Sequence, residues 1–211
     1  FRKVQPNTAL LFNYGSSGKL RNQIQQGASV DIFLSASVKD MDILADKGLI
    51  LKDTVTPFAG NRLVLASIND SVESDDFSQL LMSTNETIAI GEPKSVPLGQ
   101  YTKESLDNLG LWEALEGKMI YAKDARQVLT YVESGNAGLG IVYLSDTQVS
   151  PNLKIIHELP EGPHPIVYPA GIAVESKDRE AAEAFLAFLT GIEGQKIIEQ
   201  YGFSTFNGET P

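Results

Sequence analysis

The stretch "YAKDARQVLTYVESGNAGLGIVYLSD", Tyr121–Asp146, decides the fold class predicted for this chain of 211 residues. It begins at the end of an extended apolar run and continues as a helical pattern, with Asp124 as N-cap and Gly135 near the helix end. It finishes on a second apolar run, "GLGIVYLSD", that reads as a strand. The same alternation recurs along the chain and predicts an α/β fold with mostly parallel sheets flanked by helices.

The first part of the chain follows this pattern. "TALLFNY", residues 8–14, reads as a buried strand, and a helix follows from Ser17. "VDIFLSAS" is a second strand, and the next helix has Ser37 as its N-cap and Gly48 as its C-terminal stop. Further strands and helices continue to a long helical segment near residue 200.

The two halves are joined by extended segments instead of a linker rich in Pro, Gly or Ser. Two segments, about residues 61–68 and 167–176, are predicted to be crossing hinge strands, because a few extended residues can absorb a rotation of one lobe. The predicted lobe 1 is discontinuous, with residues 1–62 and 173–211, and lobe 2 comprises residues 66–168.

Composition excludes several classes of function. The formal charge of −10 and the lack of a Lys/Arg run disfavour a nucleic-acid partner. There is no cysteine for a disulfide, a catalytic thiolate or a metal site. His157 and His164 are predicted to lie in a surface loop, "HELPEGPHP", and not in a metal site. No apolar run is long enough for a membrane span, and an export signal is expected to have been removed before Phe1.

The motif "GSSGK", Gly15–Lys19, places two serines at the start of a helix. A nucleophile elbow needs the pattern G-x-S-x-G and a histidine that activates the serine, and a P-loop needs a longer glycine-bounded loop. Neither spacing is present. Ser16 or Ser17 is therefore predicted to be the N-cap, and both stay candidates for binding an anion.

Two other helix starts have the same character. The small residue Ala125 begins one helix, and the uncharged residues Pro97, Leu98 and Gly99 are predicted to stand before another. Helix N-termini at the strand ends of an α/β fold form a receptor for oxyanions. Tyr143 ends an apolar strand, and the pattern leaves open whether its ring belongs to the core or its hydroxyl to the site.

Four blocks of the sequence resemble the periplasmic molybdate-binding proteins of ABC importers. They keep the family's order: the block that contains "GSSGK", "GEPKSVPLGQYTKESLDNLGLWEAL", the segment from Ala122 to Asp146, and "GIEGQKIIEQYGF". The resemblance covers essentially the whole chain. It implies a type II periplasmic-binding fold, with two α/β lobes, two crossing strands and the ligand in the cleft.

The resemblance also implies the ligand-binding residues. The family's ligand serine falls on Ser17 and its ligand tyrosine on Tyr143, and its two main-chain donors fall on Leu98 and Ala125; Ser16 and Pro97 are secondary candidates. A first strand with another ligand serine, and part of the first helix, are expected to precede Phe1 in this family.

The function implied by the resemblance is capture of molybdate, and of tungstate, for delivery to the transmembrane subunits of an ABC permease. The protein is then expected to be a monomer outside the cytoplasmic membrane, with no enzymatic activity, no cofactor and no direct side-chain ligand to the metal. Two alternatives stay open: a protein of the same fold that binds another oxyanion such as sulfate, and a ligand-sensing domain without transport.

Overall fold

The computed structural model describes residues 1–69 and 76–206. Its helices are α1 Ser17–Gln25, α2 Val38–Asp46, α3 Phe77–Ser83, α4 Pro97–Asn108, α5 Trp112–Leu115, α6 Ala125–Glu133, α7 Leu144–Thr147, α8 Arg179–Thr190 and α9 Ile192–Gln200. Its strands are β1 Ile32–Leu34, β2 Thr56–Asn61, β3 Leu63–Ser67, β4 Ile88–Gly91, β5 Met119–Ala122, β6 Leu139–Tyr143, β7 Lys154–Glu158 and β8 Ile166–Ile172. None of the described helices is both long and apolar enough to span a membrane.

The chain divides into two compact units. Among the described residues, unit 1 contains residues 1–60, 167–200 and 204–206, and unit 2 contains residues 61–69, 76–166 and 201–203. The lobe boundaries expected from the sequence, and the role of the crossing strands as hinges, stay predictions. The part of the predicted lobe 1 from residue 207 to 211 lies outside the described residues.

Unit 1 has a three-stranded sheet with the order β1-β8-β2. β1 runs antiparallel to β8, with Phe33 opposite Gly171. Its core includes Ile24 of α1, Met41 and Leu44 of α2, and Phe33. The predicted caps are confirmed here, because the side chain of Ser37 accepts a hydrogen bond from the first turn of α2.

Unit 2 has a five-stranded sheet with the order β5-β4-β6-β3-β7. β4 is parallel to both β5 and β6, whereas β3 is antiparallel to both β6 and β7. The sheet is therefore mixed, not mostly parallel, because β3, the strand that enters unit 2, runs opposite to the other four. A large apolar core lies against it, with Leu65, Ile90, Leu106 and Ile141 fully buried.

Two predicted elements are wrong. Residues 8–14 form no strand, and Leu11 is 96% exposed and Phe12 57% exposed. An apolar run becomes a strand only when neighbouring backbone satisfies its N–H and C=O groups, and this segment pairs with neither sheet.

His157 lies in β7 opposite Leu65, not in a loop, because β7 supplies the backbone partners that the outer edge of β3 needs. His164 is exposed, with Nδ1 3.2 Å from Glu104 Oε2.

Candidate functional site

The parallel strands of unit 2 bring three predicted site residues to one edge of the sheet. β4, β5 and β6 are neighbours, so their carboxyl ends lie along the same edge. Leu98 is the second residue of α4, which follows β4, and Ala125 is the first residue of α6, which follows β5. Tyr143 is the last residue of β6. Ser16 and Ser17 belong to unit 1.

The start of α4 lies directly against the end of β4. A Cβ atom built on Gly99 would be 2.1 Å from the carbonyl oxygen of Gly91, so only glycine permits this approach. Pro97 occupies the first helical position, where its missing N–H costs nothing. The tight contact between Gly91 and Gly99 therefore sets the position of the whole first turn of α4.

The backbone of α4 offers donors that no part of the described chain uses. Its N-cap, Val96, has no capping side chain, whereas Ser or Asp side chains cap α1, α2, α3, α6 and α8. Within the described residues, the N–H groups of Leu98 and Gly99 have no hydrogen-bond acceptor. The Leu98 side chain is 1% exposed and points into the core, so only its backbone is available for a ligand.

The start of α6 is capped in a way that leaves its first donors available. Asp124 accepts a hydrogen bond of 2.8 Å from the Gln127 N–H, and the Gln127 amide oxygen accepts one of 2.8 Å from the Lys123 N–H. In the described chain no acceptor faces the N–H groups of Ala125 and Arg126. The predicted cap is thus confirmed, and the small Ala125 side chain does not obstruct an approaching anion.

The ring of Tyr143 belongs to the core, and the role of its hydroxyl in a ligand site stays a prediction. The ring is partly buried and packs against the core of unit 2. Tyr143 is also the N-cap of α7, and the Asp146 carboxylate accepts a hydrogen bond from its backbone N–H. This is the reciprocal half of a capping box, and it holds the end of β6 against the start of α7.

The Asp146 carboxyl is an unusual group for this position. Burial raises its pKa above the ordinary aspartate value, although the hydrogen bond from the Tyr143 N–H acts in the opposite direction. Its Oδ2 atom is buried and, among the described residues, has no hydrogen-bond partner. Ionised Asp146 therefore carries an unfavourable free energy that protonation relieves.

The two serines of unit 1 have different roles. Ser16 is the N-cap of α1, with its Oγ 3.4 Å from the Lys19 nitrogen. Ser17 Oγ instead accepts a hydrogen bond of 2.9 Å from the Ala36 N–H. Because a hydroxyl carries one proton and two lone pairs, Ser17 keeps its O–H to donate. A nucleophilic serine needs a general base that accepts its proton, whereas the partner of Ser17 is a backbone N–H donor.

A neighbouring cation of unit 1 is already paired. Arg21, on α1, donates a hydrogen bond of 2.6 Å from Nη1 to Asp40 Oδ1 on α2, and both side chains are largely buried. No cluster of three or more His, Cys, Asp or Glu side chains that could hold a metal ion occurs in the described ranges.

A family model matches residues 1–204 and is described as "Bacterial extracellular solute-binding protein". The chain belongs to this family. Among its relatives, the "Putative ABC transporter substrate-binding lipoprotein YvgL" of Bacillus subtilis (strain 168) is 43% identical over 97% of this chain and 78% of the relative. The "Molybdate-binding protein ModA" of Haemophilus influenzae is 36% identical over 97% of this chain and 82% of the relative.

A solved structure agrees with the sequence comparisons. The "substrate binding domain of putative molybdenum ABC transporter from Clostridium difficile" has a TM-score of 0.88 and 40% sequence identity, over 97% of this chain and 90% of that one. The predicted resemblance and the type II periplasmic-binding fold of this solute-binding protein are confirmed. The assignment of individual ligand residues stays a prediction.

The sequence alone missed several residues that shape the site of this solute-binding protein. Gly99 was named from the sequence, but its contact with Gly91 was not, although two glycines eight residues apart at a strand end and a helix start were a usable signal of close packing. Ala36 acts only through its backbone N–H, which no sequence pattern reveals. Asn61, a buried amide at the end of β2, contacts the residues after Tyr143 and also left no signal.

Proposed function

We propose that this protein captures molybdate outside the cytoplasmic membrane and delivers it to the transmembrane subunits of an ABC permease. The observation that supports this most strongly is the set of uncharged donors at the sheet edge of unit 2: the N–H groups of Leu98, Gly99 and Ala125, beside Tyr143. The names of the relatives over nearly the whole chain point to the same ligand.

Uncharged donors suit a tetrahedral dianion. The amino ends of helices carry partial positive charge, and their N–H groups point along the helix axis towards a bound anion. Hydrogen bonds to a charged group contribute about 1.5–3 kcal/mol each, so six at the low end give roughly 9 kcal/mol. This corresponds to a dissociation constant somewhat below about 1 μM, which is tight enough to collect a scarce nutrient.

Selectivity follows from the same donor set. We propose that the donors of α4 and α6 are spaced for the longer metal–oxygen bonds of molybdate and tungstate, so that they cannot all reach the smaller sulfate ion. Protonated phosphate carries an O–H of its own, and a pocket that offers only donors leaves that group unpaired. We therefore infer that tungstate binds comparably to molybdate and that sulfate and phosphate bind much more weakly.

Transport requires that the permease distinguish the ligand-bound protein from the ligand-free protein. We propose that Ser17 is a ligand-binding residue, as are Leu98, Ala125 and Tyr143, and that it donates its O–H. A bound ion stabilises the conformation of the protein that offers it the most hydrogen bonds. The protein then acts as a monomeric carrier without catalysis and without a cofactor.

Competition calorimetry tests this function. The full-length protein is titrated with molybdate, tungstate, sulfate and phosphate at one ionic strength, and the molybdate titration is repeated in excess sulfate. We expect molybdate and tungstate to bind with sub-micromolar constants that excess sulfate does not change. Equal affinity for sulfate would contradict the proposed specificity, and no heat with any of the four anions would contradict the oxyanion function.

A further inference from the structure

We propose that Asn61 is a positioning residue for Tyr143, an inference that rests on the proposed function. Asn61 is the last residue of β2 and the point at which the chain passes from unit 1 into unit 2. Its amide side chain connects this point to the Tyr143 turn, which we define as residues 143–147: Tyr143 and helix α7.

The amide of Asn61 holds the Tyr143 turn through both of its polar atoms. Nδ2 donates a hydrogen bond of 2.8 Å to Ser145 Oγ, and Oδ1 accepts one of 3.4 Å from the Ser145 N–H. Oδ1 also accepts a hydrogen bond of 3.0 Å from the Arg62 N–H, which fixes the amide relative to its own backbone. Ser145 is two residues after Tyr143, so the orientation of the turn depends directly on this side chain.

Main-chain contacts extend the same connection. The Leu144 N–H donates a hydrogen bond of 2.9 Å to the Arg62 carbonyl oxygen, and Leu63 lies opposite Tyr143 in the antiparallel pair of β3 and β6. From the other side, Gly202 packs so closely that a Cβ atom there would lie 3.1 Å from Ser145 Cα. The Tyr143 turn is thus held by Asn61, Arg62 and Gly202, all within unit 2 and close to the points where the chain changes units.

The burial of Asn61 argues for a role beyond filling space. The residue is only 6% exposed, and burying an amide is unfavourable unless its donors and acceptors are satisfied. An apolar side chain would fill the same volume without that requirement, but it would not fix the direction of α7. A fixed turn means that the ligand does not have to order Tyr143 when it binds, and such preorganisation improves affinity.

The test combines Asn61→Ala with Tyr143→Phe, separately and together. Ser67→Ala is the matched control, because Ser67 is likewise a buried polar residue and donates a hydrogen bond of 2.7 Å to the Gly138 carbonyl oxygen, but at the far end of β3. The readouts are the dissociation constant for molybdate, the urea midpoint of unfolding, and amide hydrogen exchange of Leu144 and Ser145, whose N–H groups the connection holds.

In Asn61→Ala we expect molybdate to bind about 3- to 10-fold more weakly and the Leu144 and Ser145 amides to exchange at least about 10-fold faster. Removing the Tyr143 hydroxyl should then cost less affinity in the Asn61→Ala background than in the unmodified protein, because the two residues act through one turn. Ser67→Ala should lower the urea midpoint and leave both the affinity and the two amides unchanged.

Additive effects of Asn61→Ala and Tyr143→Phe, with unchanged exchange of the two amides, would overturn the inference while leaving the proposed function intact. An unmodified protein that binds no molybdate would contradict the proposed function itself, and the inference with it. A loss of affinity in Ser67→Ala as large as in Asn61→Ala would show a general effect of stability and would also overturn the inference.

Discussion

The Ser17 hydroxyl oxygen lies 2.9 Å from the backbone nitrogen of Ala36 and accepts its hydrogen bond. This contact connects the first residue of α1 to the loop between β1 and α2. The neighbouring residue Ser16 has a different role, because it caps α1. The two adjacent serines thus make different hydrogen bonds, and separate mutations can distinguish their roles.

Ser17→Ala should weaken molybdate binding about 10-fold or more, because a hydrogen bond from a neutral donor to a charged group contributes about 1.5–3 kcal/mol. Ser16→Ala should instead lower the free energy of unfolding by about 1 kcal/mol, the usual loss for an N-cap, with little change in affinity. Calorimetric titration and urea unfolding of both variants check this. The opposite assignment, with Ser16 controlling affinity, would refute the role proposed for Ser17.

Gly99→Ala should lower both stability and affinity. The new methyl group would meet the Gly91 carbonyl group, and backbone atoms cannot move aside as a flexible side chain can. Overpacking of this kind costs about 1–3 kcal/mol, and the displaced first turn of α4 moves the Leu98 N–H away from the ligand. Gly117→Ala is the control, because a Cβ there meets no atom within 4 Å. Unchanged molybdate affinity in Gly99→Ala would argue against α4 as a donor.

Asp146→Asn should become more stable relative to the unmodified protein as the pH rises. Burial raises the pKa of Asp146, so the folded state holds this proton more tightly than the unfolded state. Ionisation therefore lowers the stability of the unmodified protein as the pH rises from about 3.9, the ordinary aspartate value, through the raised pKa. The asparagine variant avoids this loss, so urea unfolding at several pH values should show the largest difference near neutrality.

Asp31→Asn provides a control of opposite sign. The Ser176 hydroxyl donates to the Asp31 carboxylate and lowers its pKa, with further hydrogen bonds from the backbone. The ionised form therefore stabilises the folded state, and this stability is lost as the pH falls through the lowered pKa. Asp31→Asn should thus be less stable than the unmodified protein at neutral pH and similar to it in acid. The same pH trend for both variants would contradict the assignment.

Lys118→Met should destabilise unit 2 without affecting ligand binding. Lys118 Nζ donates to three carbonyl oxygens around the end of α3: Leu81 at 3.3 Å, Met82 at 2.9 Å and Thr84 at 2.8 Å. Methionine keeps the apolar stem but removes the donors, so we expect a loss of about 1–3 kcal/mol in the free energy of unfolding. Lys196→Met, on the exposed side of α9, should change it little. A large change in molybdate affinity with Lys118→Met would be unexpected.

The local chemistry of the sequence was a reliable guide wherever structure depends on near neighbours. The caps Ser37 and Asp124 are confirmed because a side-chain oxygen and the N–H three residues later are always within reach once a helix forms. Gly48 and Gly135 both have positive φ just after a helix, as expected for helix stops. The alternation of strand-like and helix-like patterns of apolar residues also predicted the α/β class correctly.

The pairing of strands from distant parts of the chain was harder to predict from the sequence. Residues 8–14 have the composition of a buried strand but lie exposed, whereas His157, in a segment rich in Pro and Glu, lies in β7. Composition reports how well a residue suits a strand, and it does not report whether another strand is present to pair with it. Strand formation is decided by the partner.

By itself the sequence determined the α/β class, the helix starts at Ser17 and Ala125, and the likeness to molybdate-binding proteins, because all of these depend on residues close together along the chain. The helix expected after Gly99 instead begins at Pro97. Only the tertiary structure showed that Ala36 occupies one lone pair of Ser17, that Gly91 and Gly99 touch, and that Asn61 holds Ser145. Asn61 and Ser145 are 84 positions apart, and a hydrogen bond over that separation exists only after the sheet has brought β3 beside β6.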